Sequence, residues 1–191
     1  DHPLFRGALR AAVSRVYPDF LIEEVDSLEG ARAALGKGDA VELVLLDLKL
    51  PDSEGLVGLL TLRAEFPQVA VVVVSASEDI LTISNVVAAG AQGFIPKSAS
   101  LSVISEGLQA VLDGDLWIPK DAVLVTPSPG VTALASLTPA QARIVAYLRG
   151  GLINRDIALQ LGVTEATVKA HMTGAFRKLG VFSRIQAVSM L

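Results

Sequence analysis

Hydrophobic residues in the first two thirds of the chain form short runs separated by helical patterns. The runs Val41–Leu46 and Val69–Val74 are almost entirely Val, Leu and Ile, which is typical of parallel strands covered on both faces. Two more strands are predicted at Phe20–Val25 and Gly93–Ile95. Amphipathic helices are predicted at Leu4–Val16, Leu28–Leu35, Leu56–Phe66, Ile80–Ala89 and Leu101–Leu112. This alternation predicts an α/β fold with a doubly wound parallel sheet over residues 1–118.

The pattern changes after residue 118. Residues 119–136 contain prolines and a glycine with little periodicity, which predicts a linker. Residues 137–191 have only helical patterns, so we predict a second, all-α domain of four helices. The predicted helix starts are a capping box at Thr138 and Gln141, and caps at Asn154, Thr164 and Ser183; the predicted ends include Gly162 and Gly180.

Charge supports this division of the chain. The net charge of −4 combines a first part, residues 1–121, with 9 Lys and Arg against 18 Asp and Glu, and a second part, residues 122–191, with 7 against 2. A basic domain behind an acidic one suggests different partners, with nucleic acid a candidate for the basic domain. The absence of cysteine excludes disulfides and thiol catalysis, and it fits a reducing cytoplasm. The longest uncharged run, 122–142, contains three prolines, so no membrane span is predicted.

Polar residues follow three of the predicted strands. Asp47, Ser75 and Lys97 stand at or just beyond strand ends, and Asp1 precedes the first helix. In doubly wound sheets such positions converge on one crevice. Two carboxylates can bind Mg²⁺, and Asp47 could then attack a phosphoryl group whose oxygens Lys97 and Ser75 would contact. Each residue alone has a plainer interpretation, as a turn residue, a helix cap or a solvated charge.

Several motifs of residues 1–119 resemble the receiver domain of bacterial two-component response regulators. They are Asp1-His2-Pro3-Leu4-Phe5-Arg6, Leu45-Leu46-Asp47-Leu48-Lys49-Leu50-Pro51, Ser75-Ala76-Ser77, Gly90-Ala91 and Gly93-Phe94-Ile95-Pro96-Lys97. The resemblance implies a flavodoxin-like fold in which Asp47 accepts phosphate from a sensor histidine kinase.

The same resemblance assigns further roles. It implies that Asp1, Asp47 and the backbone carbonyl of Lys49 bind Mg²⁺, and that Ser75 and Phe94 act as switch residues. Receivers usually begin with an apolar strand ahead of the position of Asp1. We therefore expect that the natural protein has a central strand which the sequence lacks.

Residues 138–191 resemble the four-helix helix-turn-helix domain of the LuxR/FixJ/NarL class. The motifs are Leu137-Thr138-Pro139, Gly151-Leu152-Ile153-Asn154-Arg155-Asp156-Ile157-Ala158, Leu161-Gly162-Val163, Thr167-Val168-Lys169-Ala170-His171 and Arg177-Lys178-Leu179-Gly180-Val181. The helix after Thr164 would enter the major groove of double-stranded DNA. Candidate DNA contacts are Thr164, Lys169, Ala170, Thr173, Arg177, Lys178 and Arg184. The resemblance implies that the last helix, with Ile185 and Val188, forms a homodimer when the protein is phosphorylated or bound to DNA.

The predicted function is a phosphorylation-controlled transcription regulator and not an enzyme. An alternative is a pseudo-receiver that regulates transcription without phosphorylation. A phosphatase with an aspartate nucleophile would need a second Asp two positions after Asp47, where this chain has Lys49. A helical interaction module with a solvated basic face is the plainer interpretation of the C-terminal part.

Overall fold

The computed structural model describes residues 3–38 and 40–189. The helices are α1 (Pro3–Val16), α2 (Leu28–Leu35), α3 (Val57–Glu65), α4 (Ile80–Ala88), α5 (Leu101–Leu112), α6 (Pro129–Ala135), α7 (Pro139–Arg149), α8 (Asn154–Leu161), α9 (Glu165–Leu179) and α10 (Arg184–Ser189). The strands are β1 (Leu43–Asp47), β2 (Lys49–Leu50), β3 (Ser53–Glu54), β4 (Ala70–Ser75) and β5 (Gly93–Pro96). The α/β part and the helical part follow each other in the predicted order.

Strand β4 lies in the middle of a three-stranded parallel sheet, in the order β1-β4-β5. Its side chains alternate between the two faces because successive residues of a strand point in opposite directions. Val71 and Val73 pack with α2, α3 and α4 on one face. Val72 and Val74 pack with α1 and α5 on the other. The continuous apolar run therefore marks a strand buried on both faces, as predicted.

The prediction of a strand at Phe20–Val25 is wrong. The structure has no strand there, and Leu21 is fully exposed. A strand needs a hydrogen-bonded neighbour, and β1 pairs only with β4 in the described sheet. The apolar pattern of 20–25 therefore has no ladder to join. Lys49–Leu50 and Ser53–Glu54 instead form an antiparallel hairpin that the hydrophobic pattern did not predict.

Helices α7 to α10 form the predicted all-α part. The capping box holds, since Gln141 N donates to Thr138 Oγ1 and Thr138 N donates to Gln141 Oε1. Gly162 and Gly180 end α8 and α9 in the left-handed conformation that favours glycine. The cap prediction at Asn154 is off by one residue. Ile153 is the cap, and its N–H donates to the carboxylate of Asp156.

The segment predicted to be a linker contains helix α6. Proline at the first turn is compatible with a helix because its missing N–H would have no partner there. Two residues of α6 are buried in different places. Val131 joins the cluster under α3 and α4, whereas Leu134 joins the cluster formed by α7, α9 and α10. Helix α6 therefore packs against both parts of the chain.

A search of the described residues for a helix both long and apolar enough to cross a membrane found none.

Two helical glycines differ in the space beside them. A Cβ on Gly107 of α5 would lie 3.0–3.2 Å from ring atoms of the buried Trp117, whereas a Cβ on Gly7 of α1 would meet nothing within 4 Å. We expect Gly107→Ala to lower the free energy of unfolding by about 1–3 kcal/mol through overpacking. Gly7→Ala should raise it by about 0.5–1 kcal/mol through helix propensity. Urea unfolding followed by circular dichroism measures both, and equal effects of the two variants would contradict this packing.

Candidate functional site

The three polar residues predicted at strand ends lie at one edge of the sheet. Asp47 ends β1, Ser75 ends β4 and Lys97 directly follows β5. The register pairs Asp47 with Val74 and Ser75 with Pro96, so the three strands end nearly level. Parallel strands place their carboxyl ends on the same side, which is where doubly wound folds bind ligands.

Asp47 and Lys97 form a close ion pair at this edge. Lys97 Nζ donates to Asp47 Oδ2 at 2.6 Å, and both side chains are 15% exposed. Lys49 N donates to the other carboxylate oxygen at 3.0 Å. Burial by itself would raise the pKa of Asp47, but the hydrogen bonds from Lys97 and Lys49 outweigh it and hold the pKa below its usual value. The carboxylate is therefore ionised at neutral pH.

Ser75 is buried beside the loop that leads into α4. Its Oγ accepts a hydrogen bond from Ser77 N at 3.1 Å, and its carbonyl accepts one from Lys97 N at 2.8 Å. The second bond links the ends of β4 and β5. Phe94 lies in β5 and is fully buried in the cluster that also contains α3 and α4. The switch roles of Ser75 and Phe94 stay predictions.

Asp79 caps α4 and was not singled out in the sequence. Its carboxylate accepts from Thr82 N at 2.8 Å, and from the hydroxyls of Ser77 and Thr82 at 2.5 Å each. These side-chain hydrogen bonds, that from Ser77 first, lower the pKa of Asp79 to about 2. The signal was present, since Asp three residues before Thr82 at a helix start is a typical N-cap.

Oxygen donors suited to Mg²⁺ are partly present in the described residues. Asp47 supplies a carboxylate, and Lys49, two residues on, supplies the backbone carbonyl of the predicted ligand set. The third predicted ligand, Asp1, lies outside the described residues. Within the described part of the chain, no group of three or more His, Cys, Asp or Glu side chains could hold a metal ion. Mg²⁺ commonly takes one or two carboxylates and keeps several waters, so these donors are compatible with it.

Asp52 lies in the β2–β3 hairpin, which follows Asp47. Its side chain connects this hairpin to α2. Its two carboxylate oxygens accept hydrogen bonds from Leu28 N at 2.8 Å and Glu29 N at 2.9 Å, the first amides of α2. Burial would raise the pKa of Asp52, but these amide donors lower it. This contact spans 24 residues of sequence, and no local motif could have revealed it.

Helix α9 presents the predicted DNA-contacting face to solvent. Thr164 caps it, with its side chain accepting from Thr167 N. Val168 is fully buried, whereas Lys169, Ala170 and Thr173 are exposed. The hydroxyl of Thr173 donates to Lys169 O at 3.0 Å. An exposed basic face beside a buried anchor is the arrangement by which a recognition helix enters a major groove.

Two of the three remaining predicted DNA contacts form hydrogen bonds within the protein. Arg177 is exposed on α9. Lys178 Nζ donates to Ser136 O at 2.7 Å, at the end of α6, and Arg184 Nη2 donates to Leu152 O. The last two side chains would have to leave these carbonyls to reach a DNA phosphate.

Gly174 has a structural reason inside α9. A Cβ there would lie 2.7 Å from Gln141 Nε2, so the glycine lets the capping-box side chain of α7 approach α9 closely.

The two residues predicted for dimerisation differ in exposure, because Ile185 is 81% exposed while Val188 is half-buried against the α7–α8 cluster. Phe182, three residues before Ile185 in the sequence and not predicted to contact a partner, is 93% exposed.

Comparisons with known proteins agree with this arrangement. The family model of the response regulator receiver domain matches residues 1–109, and that of bacterial regulatory proteins of the luxR family matches residues 135–191. The glycerol metabolism activator of Pseudomonas putida is 35% identical, over 98% of this chain and 90% of its own length. The nitrate/nitrite response regulator protein homolog of Haemophilus influenzae is 30% identical over the same shares.

Two solved structures share the fold. RcsB from Salmonella enterica serovar Typhimurium, bound to a promoter with phosphomimetic BeF3⁻, aligns with a TM-score of 0.57 at 18% identity, covering 100% of this chain and 93% of that one. A LuxR family DNA-binding response regulator from Silicibacter pomeroyi aligns with a TM-score of 0.55 at 29% identity, covering 63% and 92%. The chain therefore belongs to the response regulators that join a receiver domain to a LuxR-type DNA-binding domain, and it is a transcription regulator, not an enzyme.

Proposed function

We propose that phosphorylation of Asp47 by a sensor histidine kinase controls how this chain binds double-stranded DNA. The observation that carries the proposal is the Asp47–Lys97 ion pair at the carboxyl edge of the sheet. It gives an ionised carboxylate for attack and a cation beside the oxygens of the incoming phosphoryl group. A carboxylate alone after a strand would carry far less weight.

The chain's own residues divide the work of the transfer. An oxygen of Asp47 attacks the phosphorus of a phosphohistidine, the P–N bond breaks, and the imidazole leaves with the bond electrons. Lys97 moves from the carboxylate to the phosphoryl oxygens, and the Ser75 hydroxyl donates to another of them. Mg²⁺, held by Asp47, Asp1 and the carbonyl of Lys49, would neutralise charge on the phosphoryl group.

The added charge then changes the surface of the receiver domain. Phosphorylation replaces the single negative charge of the Asp47 carboxylate with a phosphoryl group that carries about −1.5 to −2, which draws Lys97 and Ser75 and shifts the loop that carries Ser77 and Asp79 into α4. We expect the receiver to act on the DNA-binding domain and to favour a homodimer joined through Ile185, with Val188 behind it. Support by analogy comes from the RcsB structure, which combines a promoter with a phosphomimetic.

DNA binding rests on the exposed face of α9 and the charge of its domain. Lys169 and Ala170 are exposed on α9, where they would contact base edges or phosphates, and Thr164 and Arg177 lie towards the two ends of the same helix. The basic balance of residues 122–191 favours the DNA backbone electrostatically.

The first test concerns the acceptor. The protein is incubated with a small phosphodonor and Mg²⁺, and its intact mass is measured. We expect the wild type and Asp113→Asn to gain the mass of one phosphoryl group, and Asp47→Asn to gain none because it lacks the carboxylate. An unmodified wild type would overturn the proposal and favour the phosphorylation-independent regulator.

The second test concerns the ion pair. In Lys97→Met, burial of Asp47 is no longer opposed by the ammonium group, so the pKa of Asp47 should rise. In the wild type the folded pKa lies below that of the unfolded chain. The ionised carboxylate thus stabilises the fold above about pH 4, and this stability is lost as the pH falls through the folded pKa. Carbon-detected NMR titration measures the pKa. Lys120→Met, which removes an exposed lysine, is the control and should leave it unchanged.

The third test concerns the recognition helix. The DNA probe is a duplex selected from a random-sequence pool with the wild-type chain. Lys169→Ala should weaken binding by about tenfold or more, as expected for loss of a base or phosphate contact. Lys120→Ala, which removes an exposed lysine of the acidic part, should leave affinity unchanged. Equal affinities of both variants in fluorescence anisotropy would show that α9 does not make this contact.

A further inference from the structure

A chain of polar contacts runs from the loop after Asp47 to the DNA-binding domain. It starts in the β2–β3 hairpin, whose first amide, Lys49 N, donates to Asp47 Oδ1. Three residues on, Asp52 holds the first two amides of α2 through both of its carboxylate oxygens. A carboxylate at the start of a helix also interacts favourably with the helix dipole. Any shift of the hairpin therefore acts directly on α2.

Helix α2 makes the next contact about one turn further along, through Arg32. Arg32 Nε and Nη2 donate to the two carboxylate oxygens of Glu65 at 2.7 and 2.8 Å, and Nη1 donates to Glu29 at 2.6 Å. Glu65 is the last residue of α3, and its side chain is only 9% exposed. A bidentate pair fixes the plane of the guanidinium group against Glu65, so Arg32 ties α2 to the end of α3 and holds the group in one place.

The guanidinium group faces the DNA-binding domain. Its central carbon lies 5.8 Å from the ring centroid of Tyr147 in α7, and Nη2 lies 3.4 Å from the tyrosine hydroxyl. Beside this contact α3 packs along α7, and Leu60 of α3 joins the cluster of Leu134 and Val145. Tyr147 therefore contacts the charged Arg32 of the receiver domain next to the apolar contact between α3 and α7.

We propose that Asp52, α2 and Arg32 carry the state of Asp47 to the DNA-binding domain through Tyr147. The proposal rests on the proposed function in taking Asp47 as the acceptor, and it adds a route separate from Ser75, Phe94 and α4. The route acts on α7 and does not cover the recognition helix, since Lys169 and Ala170 are exposed in this docked arrangement.

The route has a test that needs no phosphate. Hydrogen exchange is compared between the wild type and Asp52→Ala, with Ser100→Ala, which removes the N-cap of α5, as a matched control. Asp52→Ala should speed exchange by about fivefold in α2 and also in α7 around Tyr147. Ser100→Ala should change neither. Faster exchange in α2 alone would overturn the proposal, because α2 would then not act on α7. If Asp52→Ala does not fold, Asp52→Asn, which keeps one acceptor oxygen, replaces it.

A second measurement uses the phosphorylated protein. The response is the ratio of DNA affinities with and without phosphate on Asp47, measured on the selected duplex. Asp52→Ala and Tyr147→Ala should each reduce this ratio by about threefold or more, and the double variant should reduce it no further. Ser100→Ala should keep the wild-type ratio. Effects that multiply in the double variant, or a ratio that neither single variant changes, would overturn the route.

The two arms separate the possible failures. Intact mass shows whether Asp47 is phosphorylated in each variant. If the wild type takes up no phosphate, the proposed function fails, and hydrogen exchange still decides whether Asp52 and Tyr147 are coupled. Tyr147→Phe keeps the ring over the guanidinium group, so it should retain most of the response.

Discussion

Burial of β4 on both faces is the constraint on which the receiver half depends. Alternate valines of this strand send side chains into two separate clusters, one under α3 and α4 and one under α1 and α5. Neither cluster could exclude water without the strand, since hydrophobic stabilisation scales with the apolar area removed from solvent. The strand ends at Ser75, and the neighbouring strands end at Asp47 and just before Lys97. The packing that forms the core thus also brings Asp47, Ser75 and Lys97 to one edge of the sheet.

Much of this arrangement could be predicted from the sequence, because it depends on local patterns. The apolar runs at 41–46 and 69–74 predicted strands β1 and β4, and the capping box at Thr138 predicted the start of α7. The convergence of Asp47 and Lys97 on one edge followed from strand ends in a parallel sheet, whereas their direct ion pair was not predicted. The strand expected at 20–25 failed because a ladder needs a neighbour, which no residue within the segment can supply.

Contacts between distant segments were not predictable in this way. Asp52 bonds amides of α2, and Arg32 meets Tyr147 across 115 residues of sequence. Each depends on how whole elements pack, and the residue types alone are ordinary surface charges. The role of Gly174 was equally unpredictable, since it depends on how closely the side chain of Gln141 approaches α9. The residues that connect the domains were therefore harder to predict than Asp47, Ser75 and Lys97 at the edge of the sheet.

Helix α6 sets the relation between the two domains more strictly than a flexible linker would. It has Val131 in the receiver core and Leu134 in the core of the DNA-binding part, three residues apart on one helical face. A helix advances about 1.5 Å and turns about 100° per residue. One inserted residue between these two would turn Leu134 away from its cluster, whereas a similar insertion near Val123, an exposed non-helical position, would leave both anchors in place. Chimeras that exchange the DNA-binding domain should therefore be joined before residue 128, so that α6 stays intact as the spacer.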